Sequence, residues 1–115
     1  MKFHQLAVLA GAILVLSAHT SGAGDVGNAR VGLEFARTHC AGCHAIAFDD
    51  IASPNPDAPP FKWVADTQGL TRTALVVFFQ SPHPTMPNLV LSPEETDNVI
   101  AYILSLRGDG ADAPK

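Results

Sequence analysis

The chain has 115 residues, a length that suits one domain. Eleven acidic side chains face seven basic ones, a formal charge of −4 with no basic run. That balance argues against nucleic acid and anionic membrane surfaces as partners. Only two cysteines are present, three positions apart.

The chain opens like a targeting segment. Lys2 gives a short positive start, Leu6 to Leu16 is uninterrupted apolar sequence, and Ser21-Gly22-Ala23 supplies small residues for a signal peptidase. As a helix rising ~1.5 Å per residue, the run spans about half of a ~30 Å hydrocarbon core, too short for an anchor. We read residues 1–23 as a cleaved secretory signal and 24–115 as the mature domain, with no membrane insertion after cleavage. Loss of Lys2 takes the net charge to −5.

Asp25 is the expected N-cap of a first helix, Val26 to His39. Gly32, Ala36 and Cys40 form one row on it, and Val31 and Phe35 a neighbouring row. Its carboxyl end delivers the cysteines. Ile46 to Gly69 reads as mostly loop, because Pro54, Pro56, Pro59 and Pro60 forbid a continuous helix. A loop this long needs a reason, and Phe61, Trp63 and Val64 favour wrapping a cofactor over disorder. Thr71 to Gln80 is the second helix, apolar over most of its surface and so expected to be largely buried. Pro82 stops it, and a second Pro-bearing loop follows from Ser81 to Leu91. Ser92-Pro93-Glu94-Glu95 then starts the last helix, with Ser at N-cap, Pro at N1 and Glu at N3. Val99, Ile100, Ile103 and Leu106 form its core stripe, and Gly108 ends it. The tail from Asp109 is expected to fray.

Cys40-Ala41-Gly42-Cys43-His44 is the C-x-x-C-H pattern of covalent c-type haem attachment. Cysteines three apart share one side of a helical turn, so both sulfurs can reach the vinyl groups along one side of a porphyrin. The adjacent His44 can turn its imidazole under the same ring to ligate iron. Three other readings compete. A thioredoxin-type pair needs a strand and an α/β pattern. A zinc site needs a fourth ligand at workable spacing. A disulfide across three residues closes a small, strained loop.

The second axial ligand must come from elsewhere. Met86, the mature chain's only methionine, stands in His83-Pro84-Thr85-Met86-Pro87. Its prolines rule out an ordinary core helix, so a gap-filling role there is the weaker reading. His83 is the rival ligand. His39 precedes Cys40 on the thioether side and is poorly placed to cross the ring.

These residues resemble the class I c-type cytochromes, across nearly the whole mature chain. Gly32, eight positions before Cys40, matches the glycine at which that family's first and last helices cross. Asn98-Val99-Ile100-Ala101-Tyr102-Ile103 matches the terminal helix, with Tyr102 in its aromatic place. Pro59-Pro60-Phe61 resembles the stretch whose proline carbonyl accepts a hydrogen bond from the proximal histidine. The proline-rich stretches resemble a bacterial subgroup most. The resemblance implies an all-α cytochrome c fold of three main helices, with long Pro-rich loops wrapping one covalent haem c. Mature lysines are only Lys62 and Lys115, so the lysine rim of the mitochondrial relatives is missing. Trp63 is either a partner of the haem propionates or a core residue.

The function this implies is one-electron transfer in the bacterial periplasm, between a donor and an acceptor protein, and not enzymatic catalysis. His44 and Met86 would fill both axial positions and leave no site for substrate. A gas-binding haem protein with a labile Met86, and a committed subunit of a larger redox complex, are the competing readings.

Overall fold

The computed structural model describes residues 26–83, 85, 86 and 89–115; residues 1–25, with the expected leader and the expected cap Asp25, and Pro84, Pro87 and Asn88 lie outside the described residues. Four helices follow in order: α1, Ala29–His39; α2, Phe61–Ala65; α3, Arg72–Gln80; and α4, Pro93–Ser105. Among the described residues there is no strand. Three main helices and long loops match the expected all-α fold.

The helix ends follow from local chemistry. Helix α1 begins later than the sequence suggests, because Gly27 takes a left-handed φ of +94° that a helix does not admit. Asn28 then caps it, its side chain accepting from the Arg30 and Val31 amides. Helix α3 starts as expected behind Thr71, whose hydroxyl accepts from the Ala74 amide. Helix α4 carries the full reciprocal cap. The Glu95 amide donates to the Ser92 hydroxyl and the Ser92 amide donates to the Glu95 carboxylate. Those bonds hold the Glu95 carboxyl below its usual range.

Helix α2 interrupts the segment expected to be loop. The four prolines end at Pro60, and a proline is tolerated at a helix start, where its missing N–H is no loss. Phe61 and Ala65, four apart, are both buried. Lys62 and Asp66 form an ion pair on the exposed side. Asp66 also accepts from the Gly108 amide, and Lys62 and Gly108 together lower its carboxyl pKa.

The core lies where α1 crosses α4, and α4 also touches α2 and α3. Ala36, Val99, Ile100 and Leu106 are all but inaccessible to solvent. A Cβ on Gly32 would lie 1.9 Å from the Asn98 carbonyl oxygen and 2.9 Å from the Tyr102 Cβ. The bare backbone of α1 thus rests chiefly on the α4 backbone at Asn98, and on Tyr102 second. Asn98 is buried, and its side-chain oxygen accepts from the Asn28 amide at 2.7 Å. One α4 residue therefore supports both the crossing and the entry to α1.

Two further expectations fail. Helix α3 is not largely buried: only Leu75 is, while Val77 and Phe78 are exposed. Its apolar surface is shared between the core and the cavity described below. The tail does not fray. Ala113 packs against the core, the Arg30 guanidinium reaches the Lys115 carbonyl, and the ring of Phe48 lies against Gly110.

The crossing makes a quantitative prediction. Alanine is favoured over glycine in a free helix by about 1 kcal/mol. At position 32 that gain is outweighed, because the Asn98 backbone has to move. Gly32→Ala is expected to lower stability, and Gly32→Val to lower it by about 1–3 kcal/mol or more. Urea unfolding of the pigmented protein measures both; an unchanged midpoint for Gly32→Val contradicts the crossing.

Candidate functional site

The last turn of α1 presents the cysteine motif. The Cys40 and Ala41 amides both donate to the Ala36 carbonyl, at 2.8 and 2.9 Å, and the Cys43 and His44 amides both donate to the Cys40 carbonyl, at 3.1 and 2.9 Å. The chain thus keeps turning tightly after the helix ends, and Cys40, Cys43 and His44 come to line one cavity. Both thiols are free; Cys40 is buried and Cys43 exposed. Burial pushes the Cys40 thiol up to about 11. A thioredoxin-type pair follows a strand in an α/β pattern, and the described residues hold no strand. Among the described residues, no three or more His, Cys, Asp or Glu gather to hold a metal ion.

The Pro-rich segment folds back on the motif and fixes it. The Asn55 amide donates to the Cys43 carbonyl at 3.1 Å, and the Phe61 amide to the Ala45 carbonyl at 2.8 Å. The buried Ala45 donates its own amide to the Ser53 hydroxyl at 3.0 Å. The Tyr102 hydroxyl donates to the Ile46 carbonyl at 2.7 Å, and burial raises its phenol pKa.

His44 is oriented by its Nδ1, which lies 2.7 Å from the Pro59 carbonyl oxygen. A carbonyl only accepts, so Nδ1 carries the proton and Nε2 keeps its lone pair for a metal. Of the two expected prolines, Pro59 is the acceptor. The buried ring of Phe61 tilts against the imidazole with centroids 5.3 Å apart, and Phe61 in turn meets Tyr102.

The cavity measures about 470 Å³, within the range of cofactor pockets. Phe61, Val64, Leu75, Phe78, Phe79 and Ile103 give it apolar walls, and Met86 lines it together with His44. An apolar chamber with two thiols, one oriented imidazole and one thioether fits a covalently held haem. His39 and His83 also line it. The ring of His39 packs on Phe35 at 4.4 Å, and that of His83 lies on Phe78 at 3.6 Å.

Sequence reasoning missed Ser53, Asn98 and the hydroxyl of Tyr102 as structural ties. Asn98 carried a legible signal: a polar residue beside Val99 and Ile100 on an apolar stripe requires a buried partner. Ser53 carried none, since its partner is a backbone amide brought near by the turn of the loop. Trp63 is 59% exposed and lies outside both the core and the cavity lining.

The family model for cytochrome c matches residues 29–107. The chain is 37% identical over 100 residues to cytochrome c-552 of Bradyrhizobium diazoefficiens, which covers 86% of this chain and 95% of that protein. No solved structure matches it significantly.

The tie behind His44 is testable. Ser53→Ala leaves the buried Ala45 amide without its acceptor, which costs about 1–3 kcal/mol. Denaturant unfolding of the pigmented protein should show that loss, and Ser53→Thr should largely restore the midpoint. Equal stability of Ser53→Ala and the parent contradicts the tie.

Proposed function

The chain belongs to the cytochrome c family, and from that premise we propose that it shuttles single electrons between redox proteins in the bacterial periplasm, with His44 and Met86 as axial ligands. Family members are electron-transfer proteins that carry covalent haem c, and this chain is a haem-based electron carrier. The thiols of Cys40 and Cys43 would form the two thioethers. When bound, the haem supplies a one-electron iron couple.

The observation that carries the ligand assignment is the placement of Met86 in the same cavity as an imidazole whose Nδ1 is already engaged. His44 then offers Nε2, and Pro59 fixes the plane of its ring. Met86 offers a soft thioether from the other loop. Methionine in place of a second histidine favours the reduced state and raises the potential. With both positions filled by protein, no substrate reaches the iron, and the apolar walls exclude water.

Periplasmic location rests on the leader pattern at residues 1–23, which lies outside the described residues, and on the bacterial relative. Among the described residues, no helix is long and apolar enough to cross a membrane. Partners are a redox donor and a redox acceptor. Their charge follows from this surface. Arg37, Lys62 and Arg72 are paired with Glu34, Asp66 and Asp97, so they add little positive field. Asp49, Asp50 and Asp57 lie on the exposed loop that follows the attachment motif, and Asp57 reaches the cavity lining. Such a surface suits a partner with a basic rim.

Two measurements test this reading. Met86→Ala should open the iron: the ferrous protein gains carbon monoxide binding at neutral pH, the ferric protein loses its sulfur-to-iron charge-transfer band, and the potential drops. An unchanged spectrum in Met86→Ala, with a changed one in His83→Ala, moves the ligand to His83. Electron transfer to a basic redox protein should slow as salt rises and the Debye length shrinks to ~8 Å at physiological strength. A rate that climbs with salt throughout refutes the acidic steering.

A further inference from the structure

The loop that carries Met86 is secured differently from the loop behind His44. At its start, the Ser81 amide donates to the Phe78 carbonyl and the Ser81 hydroxyl to the Val77 carbonyl. At its end, Ser92 enters the α4 cap. Between them, the contacts that join described residues to the rest of the molecule are made by side chains. Pro82 has no amide proton to donate, and neither does Pro84 or Pro87. Side-chain packing is what ties the described part of this loop to the helices. Leu91 packs against the core near the loop's end. Near its beginning the contact is His83, whose ring lies on Phe78 with centroids 3.6 Å apart and planes tilted by 38°. Phe78 is braced in turn by the edge of Phe79, at 6.1 Å and 86°.

We propose that His83 is a positioning residue for Met86: its ring, laid on Phe78, clamps the proline-rich loop to α3 and so keeps the thioether at the iron. The proposal rests on Met86 being the axial ligand. It gives His83 a role in which its nitrogens bind nothing; the flat ring is what matters. Three positions separate clamp and ligand, with Pro84 between them, so little slack is available once the ring is seated. The two aromatic residues and Met86 line one cavity, so a loop that lifts His83 from Phe78 also draws Met86 from its place in the wall.

The test uses the pigmented, reduced protein and carbon monoxide at neutral pH. Carbon monoxide binds only when Met86 leaves, so its binding rate reports loop opening. His83→Ala should bind it faster by on the order of threefold to tenfold, the size that a single aromatic contact carries. His83→Phe, which keeps a ring and removes the nitrogens, should return the rate to the parent value. Ferric His83→Ala should also show a weakened sulfur-to-iron band that His83→Phe restores. If His83→Ala does not fold, His83→Leu takes its place, keeping apolar bulk without a ring. An unchanged rate in the ringless variant overturns the clamp. So does a His83→Phe protein that behaves like the ringless one, since that outcome assigns the role to an imidazole nitrogen. Failure of the ligand reading looks different: the parent protein itself then binds carbon monoxide as fast as Met86→Ala does.

Discussion

The contact between the bare backbone of Gly32 and the carbonyl of Asn98 sets the distance between α1 and α4, and the other features of the molecule depend on that distance. Because the helices touch backbone to backbone, Ala36 and Val99 are sealed beside the crossing, and the Asn98 side chain can reach the Asn28 amide. The carboxyl end of α1 is thereby aimed at one point beside α4. The cysteines and His44 follow immediately from that end. A bulkier residue at position 32 would move the attachment motif as well as the helix.

From that fixed point the Pro-rich segment becomes intelligible. Its prolines forbid regular structure and remove hydrogen-bond donors, yet the segment runs beside buried polypeptide. Its remaining donors are placed one at a time, the Asn55 amide on the Cys43 carbonyl and the Phe61 amide on the Ala45 carbonyl, while the Ser53 hydroxyl accepts from the Ala45 amide. The free carbonyl of Pro59 is the group that orients His44. The same stiffness that excludes a helix thus presents an acceptor at a defined place. Further along, Arg107 performs a similar service, its guanidinium donating to the Ala65 carbonyl at 3.0 Å and the Leu70 carbonyl at 2.9 Å. The turn from α2 into α3 is closed by one planar, forked side chain, whose donors are held in a fixed geometry that serves both carbonyls.

Much of this was legible in the sequence, and the misses have physical causes. Ser92, Pro93 and Glu95 specify their helix start locally, so the cap stands where the residues put it. Thr71 does the same for α3. The start of α1 was misplaced because Asp25 and Asn28 are equally good caps in isolation; Gly27 decides between them through a backbone angle no pattern reports. Helix α2 was missed because the density of prolines before it outweighed the five residues after it. The burial of α3 was overestimated because composition does not tell a face that meets a cavity from one that meets the core. The attachment motif was readable from spacing alone, whereas the choice of Pro59 over Pro60 depends on the turn of the chain around His44. His83 was legible as a rival ligand; its seat on Phe78 was not, since that contact joins a loop to a helix face across a break in periodicity.

The two loops around the cavity also divide the molecule dynamically. The Tyr102 hydroxyl ties the Ile46 carbonyl to the helix that carries the crossing. Detaching that loop breaks several hydrogen bonds and disturbs the core, so its opening belongs to the most cooperative, slowest-exchanging unit of the protein. The described part of the Met86 loop meets the helices through side chains instead, Leu91 on the core and His83 on Phe78. One wall of the cavity is thus held by main-chain hydrogen bonds and the other by packed side chains. Amide exchange would separate them as two units that happen to face the same chamber.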